Sequence, residues 1–268
     1  MTIENNLLEC DIIKNFIKKY NFPQKLKINI IITDDIETEY NNHLKKYNKQ
    51  YDYISIFDYN GITCIPNITN EETTLLINYN AVKQISNNNY EFICTILHEL
   101  IHAKDYYNYF KEYLDGEYNS SKHRDSTYGF KYWSEFNAKK ISYYEYCKLV
   151  HGDKLKTNEE LENIKENEIP NKNNKQDEIL KDNDIDIEDI IYNLMFYLGR
   201  YSVWEELFPT EFNNGKKFSK ELFKYKPIVD ELYNLLNNNP KIMNDYEEIK
   251  RITNYIKGRW VNIHQIDN

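Results

Sequence analysis

The sequence predicts an α+β fold: a small sheet early in the chain, two long helices packed on it, and a helical C-terminal part. Three observations predict it. Short β-branched or hairpin-like runs are confined to residues 27–79. Two long stretches between residues 88 and 151 carry apolar residues at helical spacing. From Ile185 the apolar density rises sharply and keeps a helical period. With 268 residues and a hydrophobic fraction of 41%, the chain can build one large domain or two small ones.

Each element has its own signal. Leu7, Leu8, Ile12, Ile13, Phe16, Ile17 and Tyr20 share helical spacing, and Phe22-Pro23 ends that pattern. Lys27 to Ile32 is a β-branched run and reads as a strand, broken by Thr33-Asp34-Asp35. Residues 36–48 suit a helix. Tyr51 to Tyr59 and Ile62 to Ile65 flank Asn60-Gly61, a strong hairpin signal. Thr73 to Tyr79 reads as another strand. Asn88 and Glu91 have the spacing of a capping box for a helix running to about Tyr113, where Asp115-Gly116 stops it. Its buried stripe is Phe92, Ile93, Ile96, Leu97, Leu100 and Ile101. A second long helix is expected from Tyr128 to Val150, with His151-Gly152 as its stop.

Residues 153–184 are rich in Lys, Asn, Glu and Asp and read as a polar linker or exposed insertion, with a short helix near Glu159 to Lys165. Ile185 to Phe208 is apolar nearly all round, which belongs inside a protein. Two more helices are expected near residues 218–237 and 244–258. The organisation expected is therefore a core over 1–152, the polar segment 153–184, and a helical part over 185–268 packed on the core.

The chemistry concentrates in His98-Glu99-Leu100-Ile101-His102. Histidines four apart lie about 40° apart around a helix and one turn along it, so both imidazoles point the same way. That suits two nitrogen ligands on one Zn²⁺. Glu99 sits beside such a metal rather than on it, where it can deprotonate a bound water. Apolar Leu100 and Ile101 let the back of the helix be buried. Lys104 departs from the longer zinc-peptidase pattern, which has an apolar residue there.

A catalytic zinc site needs three protein ligands and an open position. No histidine follows His102 between Ala103 and Gly116. Glu135, in Trp133-Ser134-Glu135-Phe136-Asn137-Ala138 on the second long helix, is the preferred third ligand; His123, in the polar stretch from Tyr118 to Thr127, is the rival. A carboxylate from a following helix, with small Ala138 three residues on, resembles the gluzincin arrangement of the zincin superfamily of metallopeptidases. The resemblance covers roughly residues 25–150. It implies a zincin-like small mixed sheet packed on the H-E-x-x-H helix and on the Glu-bearing helix. It implies one Zn²⁺ held by His98, His102 and Glu135, with Glu99 as general base in peptide-bond hydrolysis. It implies a downstream oxyanion donor, for which Tyr128, His123 and Tyr201 are candidates. It also makes Thr73 to Asn78 the candidate strand along which a peptide substrate would lie. The position where gluzincins often place an Asp that orients the first histidine is Lys139, so Asp105 or a backbone carbonyl must serve instead.

Composition excludes other classes. A net charge of −9 argues against nucleic-acid binding, which needs a basic face. Cys10, Cys64, Cys94 and Cys147 are scattered, with no C-x-x-C, and read as free thiols in a reducing compartment. The chain has no signal-peptide pattern and no run of eighteen apolar residues, so a cytoplasmic protein without membrane association is expected. Heavy use of Tyr, Asn, Lys and Ile suits an AT-rich genome, such as a low-GC bacterium or its phages. The partner expected is a peptide or protein substrate. Two alternatives stand beside general peptide hydrolysis: a regulatory peptidase of the phage or mobile-element type that cleaves one protein, and a non-catalytic interaction protein on a zincin scaffold.

Overall fold

The computed structural model describes residues 10–49, 60–80, 91–118, 124–151, 162–182, 184–213 and 218–238. The chain forms two compact units, Met1–Lys122 and His123–Asn268.

The first unit begins with α1 (Asp11–Lys19), which buries Ile13 and Phe16. Asp11 in its first turn and Lys18 and Lys19 in its last complement the helix dipole. Strand β1 (Lys27–Thr33) and helix α2 (Ile36–Lys46) follow. Asp35 caps α2 by accepting from the Thr38 N–H at 2.9 Å. Strands β2 (Gly61–Cys64) and β3 (Glu72–Asn78) complete a three-stranded mixed sheet in the order β1-β3-β2. β1 runs parallel to β3, and β2 antiparallel to it. The fold class is therefore α+β with a small mixed sheet. Asn60-Gly61 does open β2. The other arm of the expected hairpin lies outside the described residues.

The sheet corrects one expectation. Thr73 to Ile77 are all buried, and β3 is paired along both edges. A strand whose N–H and C=O groups are already paired on both sides cannot accept a peptide. Thr73 to Asn78 is thus the sheet centre and not a substrate strand. Its unbroken apolar run is the signature of a strand covered on both faces. Among the described strands, β2 is the end strand on the opposite side from β1.

Alternation along β2 divides its side chains between two layers. Ile62 and Cys64 pack with Leu76, Ile36, Ile31 and Tyr40, on the α2 side. Gly61 and Thr63 face helix α3 (Glu91–Tyr113) instead. A Cβ on Gly61 would lie 2.9 Å from Cγ of Glu99 and 3.0 Å from Cγ2 of Thr95, so only glycine permits this approach. Ile93, Ile96, Leu97, Leu100 and Ile101 of α3 are buried as expected. Asp115 adopts a left-handed conformation (φ 53°), and the Gly116 N–H returns to the Phe110 carbonyl at 2.8 Å, closing the helix end. Lys104 is accommodated with its ammonium 5.8 Å from the centre of the Phe22 ring. Cys94 is buried, and none of the four cysteines is in a disulfide.

The second unit is helical: α4 (Arg124–His151), a π-turn (Ile164–Glu168) leading into α5 (Ile169–Lys181), α6 (Ile187–Leu207), α7 (Pro209–Asn213), α8 (Lys220–Phe223) and α9 (Lys226–Asn238). Helix α6 is buried nearly all round and packs on α4. At the crossing, a Cβ on Gly199 would stand 2.8 Å from the Phe136 carbonyl oxygen, so glycine sets how closely α6 approaches α4 just past Glu135. The segment from Ile164 to Lys181 differs from the solvated linker that its composition suggested. Ile164, Ile169 and Leu180 join the core, and its polar residues are used: Glu168 accepts from the Tyr143 hydroxyl and Asn173 from the Tyr197 hydroxyl. Three apolar residues at the right spacing anchor a segment whose average polarity is high. Residues 153–161 and the expected helix at 244–258 lie outside the described residues. Among those described, no helix is long and apolar enough to cross a membrane.

Candidate metal centre

The helical period does locally what the motif requires. Nε2 of His98 and Nε2 of His102 lie 2.9 Å apart, with the rings nearly perpendicular at 88°. Two ring nitrogens aimed at each other at that distance share a single point in space. Both histidines are buried, and so are Glu99 and Glu135. Burying four such groups is costly unless they bind one another, neighbours or an ion.

His98, His102 and Glu135 each offer one possible ligand atom, and these atoms all lie within 4.8 Å of one another. Two donors on one tetrahedral zinc, each bonded at ~2.0–2.1 Å, stand roughly 3.3 Å apart. The imidazole pair is within half an ångström of that separation. Two imidazoles and a carboxylate are also a donor set that zinc accepts in catalytic sites. The residues present therefore fit a metal ion. Ser134 and Phe136, which flank Glu135, are buried, as is Ala138. Lys139 carries its ammonium over the Phe196 ring at 5.5 Å, a structural contact between α4 and α6. Asp105, one turn beyond His102, is buried on the same helix.

Glu99 is held by β2. The Thr63 hydroxyl lies 2.7 Å from Glu99 Oε2 and 3.0 Å from the Glu99 carbonyl oxygen. Sequence reasoning missed this contact: nothing near Thr63 marks it, because its partner is 36 residues away. The loop leaving β2 is itself anchored. His43 Nε2 donates to the Ile65 carbonyl at 2.8 Å, and the Lys49 ammonium donates to the carbonyls of Ile65 and Pro66. A carbonyl only accepts, so His43 carries its proton on Nε2.

Burial pushes the His43 pKa down to about 4; the Ile65 carbonyl opposes this, while the charges of Lys49 and Lys46 add to it. Burial likewise lowers Lys49 to about 8. The His43 shift has a stability consequence. Between pH 4 and 6.5 the unfolded chain binds a proton that the folded chain refuses. Stability from this group is complete above about pH 6.5 and falls as the pH drops towards 4. The loss between pH 7 and 4 should reach about 3 kcal/mol. Urea denaturation of wild type and His43→Gln at both pH values checks it: the wild type should lose that much more than the variant. Parallel losses would mean that folding does not depress the His43 pKa.

The candidate oxyanion donors are placed differently. Tyr201 is fully buried among Phe212, Phe218 and Tyr233, with ring centres 4.7–5.5 Å away, and belongs to the aromatic core of the second unit. Tyr128 lies on α4, and His123 falls outside the described residues. Many other tyrosines of this unit have structural partners: the hydroxyls of Tyr132 and Tyr233 donate to Glu188 and Glu205.

Compared with known families, curated proteins and solved structures, the chain matches none of them. The functional reading therefore stands on the site's own chemistry.

Proposed function

We propose that this chain is a zinc-dependent metallopeptidase of gluzincin type, acting on a peptide or protein inside its own cell. His98, His102 and Glu135 would hold one zinc ion, and Glu99 would serve as general base. The observation that carries this reading is the convergence of two imidazoles and a carboxylate within 4.8 Å, with a second buried carboxylate next to the first histidine in sequence. A purely structural metal site has no use for that second carboxylate.

Zinc held there supplies Lewis acidity, which brings the pKa of a bound water towards ~7 and polarises a substrate carbonyl. The remaining work falls to the protein's own residues. Glu99 takes a proton from the attacking water and delivers it to the leaving amine. Thr63 and Gly61 determine where the Glu99 carboxylate stands.

The test is elemental analysis of the purified protein together with mass-spectrometric cleavage of a mixed peptide library. About one zinc per chain, with cleavage lost to a chelator and restored by zinc, supports the reading. A protein that takes up no transition metal after zinc loading refutes it. Stoichiometric zinc without cleavage moves the chain to a non-catalytic interaction role.

A further inference from the structure

We infer that Thr63 is a positioning residue for Glu99, an inference that rests on the general-base role proposed above. The Thr63 side chain points from β2 towards α3, and its hydroxyl stands 2.7 Å from Glu99 Oε2. A hydroxyl has one proton, and a carboxylate is the stronger acceptor, so the donation goes to Oε2 in preference to the Glu99 main-chain carbonyl 3.0 Å away. One carboxylate oxygen is thereby tied to the sheet.

Gly61 completes the arrangement. Two residues before Thr63 on the same strand, and so on the same face, it brings the backbone of β2 against Cγ of Glu99. The Glu99 stem is thus confined by Gly61 and its head is held by Thr63. A glutamate has three side-chain torsions to fix, and a general base works only when its oxygen meets the reacting proton at hydrogen-bond distance. The strand supplies that order from outside the motif helix. Thr63 is a β-branched residue at a strand position, so its side chain is itself restricted and costs little further entropy to hold.

Two variants test this. Thr63→Val keeps the shape and the strand propensity but removes the hydroxyl; Thr63→Ser keeps the hydroxyl. The expected result for Thr63→Val is an unchanged zinc content, an unchanged KM and a kcat lowered roughly 10- to 100-fold, since this is the scale of a hydrogen bond to a charged group. Thr63→Ser should restore most of the kcat. A purely structural Thr63 would not show this split or this rescue. A second readout needs no substrate: a double-mutant cycle of Thr63→Val with Glu99→Ala, which removes the acceptor altogether, on the unfolding equilibrium. Loss of the charged acceptor should produce a coupling of roughly tenfold or more in the equilibrium constant. Absence of coupling overturns the inference whatever the activity. So does a Thr63→Val enzyme with full kcat, or one that loses its zinc. If the wild type cleaves no peptide but the coupling is present, the peptidase reading fails while Thr63 stands as the anchor of Glu99.

Discussion

Glu99→Gln should retain its zinc and lose peptide hydrolysis by roughly 10²–10⁴-fold, the range general acid–base catalysis contributes. The substitution is nearly isosteric. Its amide oxygen can still accept from Thr63, so the side chain keeps its place against Gly61 and β2. What it loses is the ability to take a proton. Replacing a buried carboxylate by a neutral amide also removes a desolvation cost, so the variant should be no less stable than wild type. Initial rates on a library-derived peptide, alongside zinc content, decide the matter. A variant that keeps its zinc and stays within tenfold of wild type would remove Glu99 from the proton-transfer role.

Glu135→Ala should lose the metal. A zinc site is worth ~10–16 kcal/mol in total, so one of three protein ligands carries about 3–5 kcal/mol, or roughly 10²–10⁴-fold in affinity. Competition with a chromogenic chelator measures this directly. Glu135→Gln, which keeps an oxygen donor without the charge, should fall between alanine and wild type. Because metal binds the folded state, adding zinc should raise the melting temperature of wild type and barely move that of Glu135→Ala. His123→Ala is the control and should bind zinc as wild type does. If His123→Ala loses the metal and Glu135→Ala keeps it, the ligand set is wrong, and with it the gluzincin reading.

The two helices bearing the candidate ligands were legible because their signals are local. A helix repeats every 3.6 residues whatever surrounds it, so His98 and His102 had to share a face, and Leu97, Leu100 and Ile101 had to be buried behind them. The strands Lys27–Thr33 and Glu72–Asn78 were legible from β-branched and apolar runs for the same reason. Strand pairing is different: hydrogen bonds across a sheet join residues distant in sequence, and no local period records which neighbour a strand takes. That is why only the resemblance, and no local signal, makes β3 an edge, and why β2, a four-residue strand with only two strongly apolar positions, gives no hint of touching Glu99. Average polarity misled in a similar way over Ile164 to Lys181, where three apolar residues suffice to join a core that the rest of the second unit builds. The pairing of the candidate ligand histidines is a property of one helix; the place of Thr63 beside Glu99 exists only once 36 residues of intervening chain have folded back on themselves.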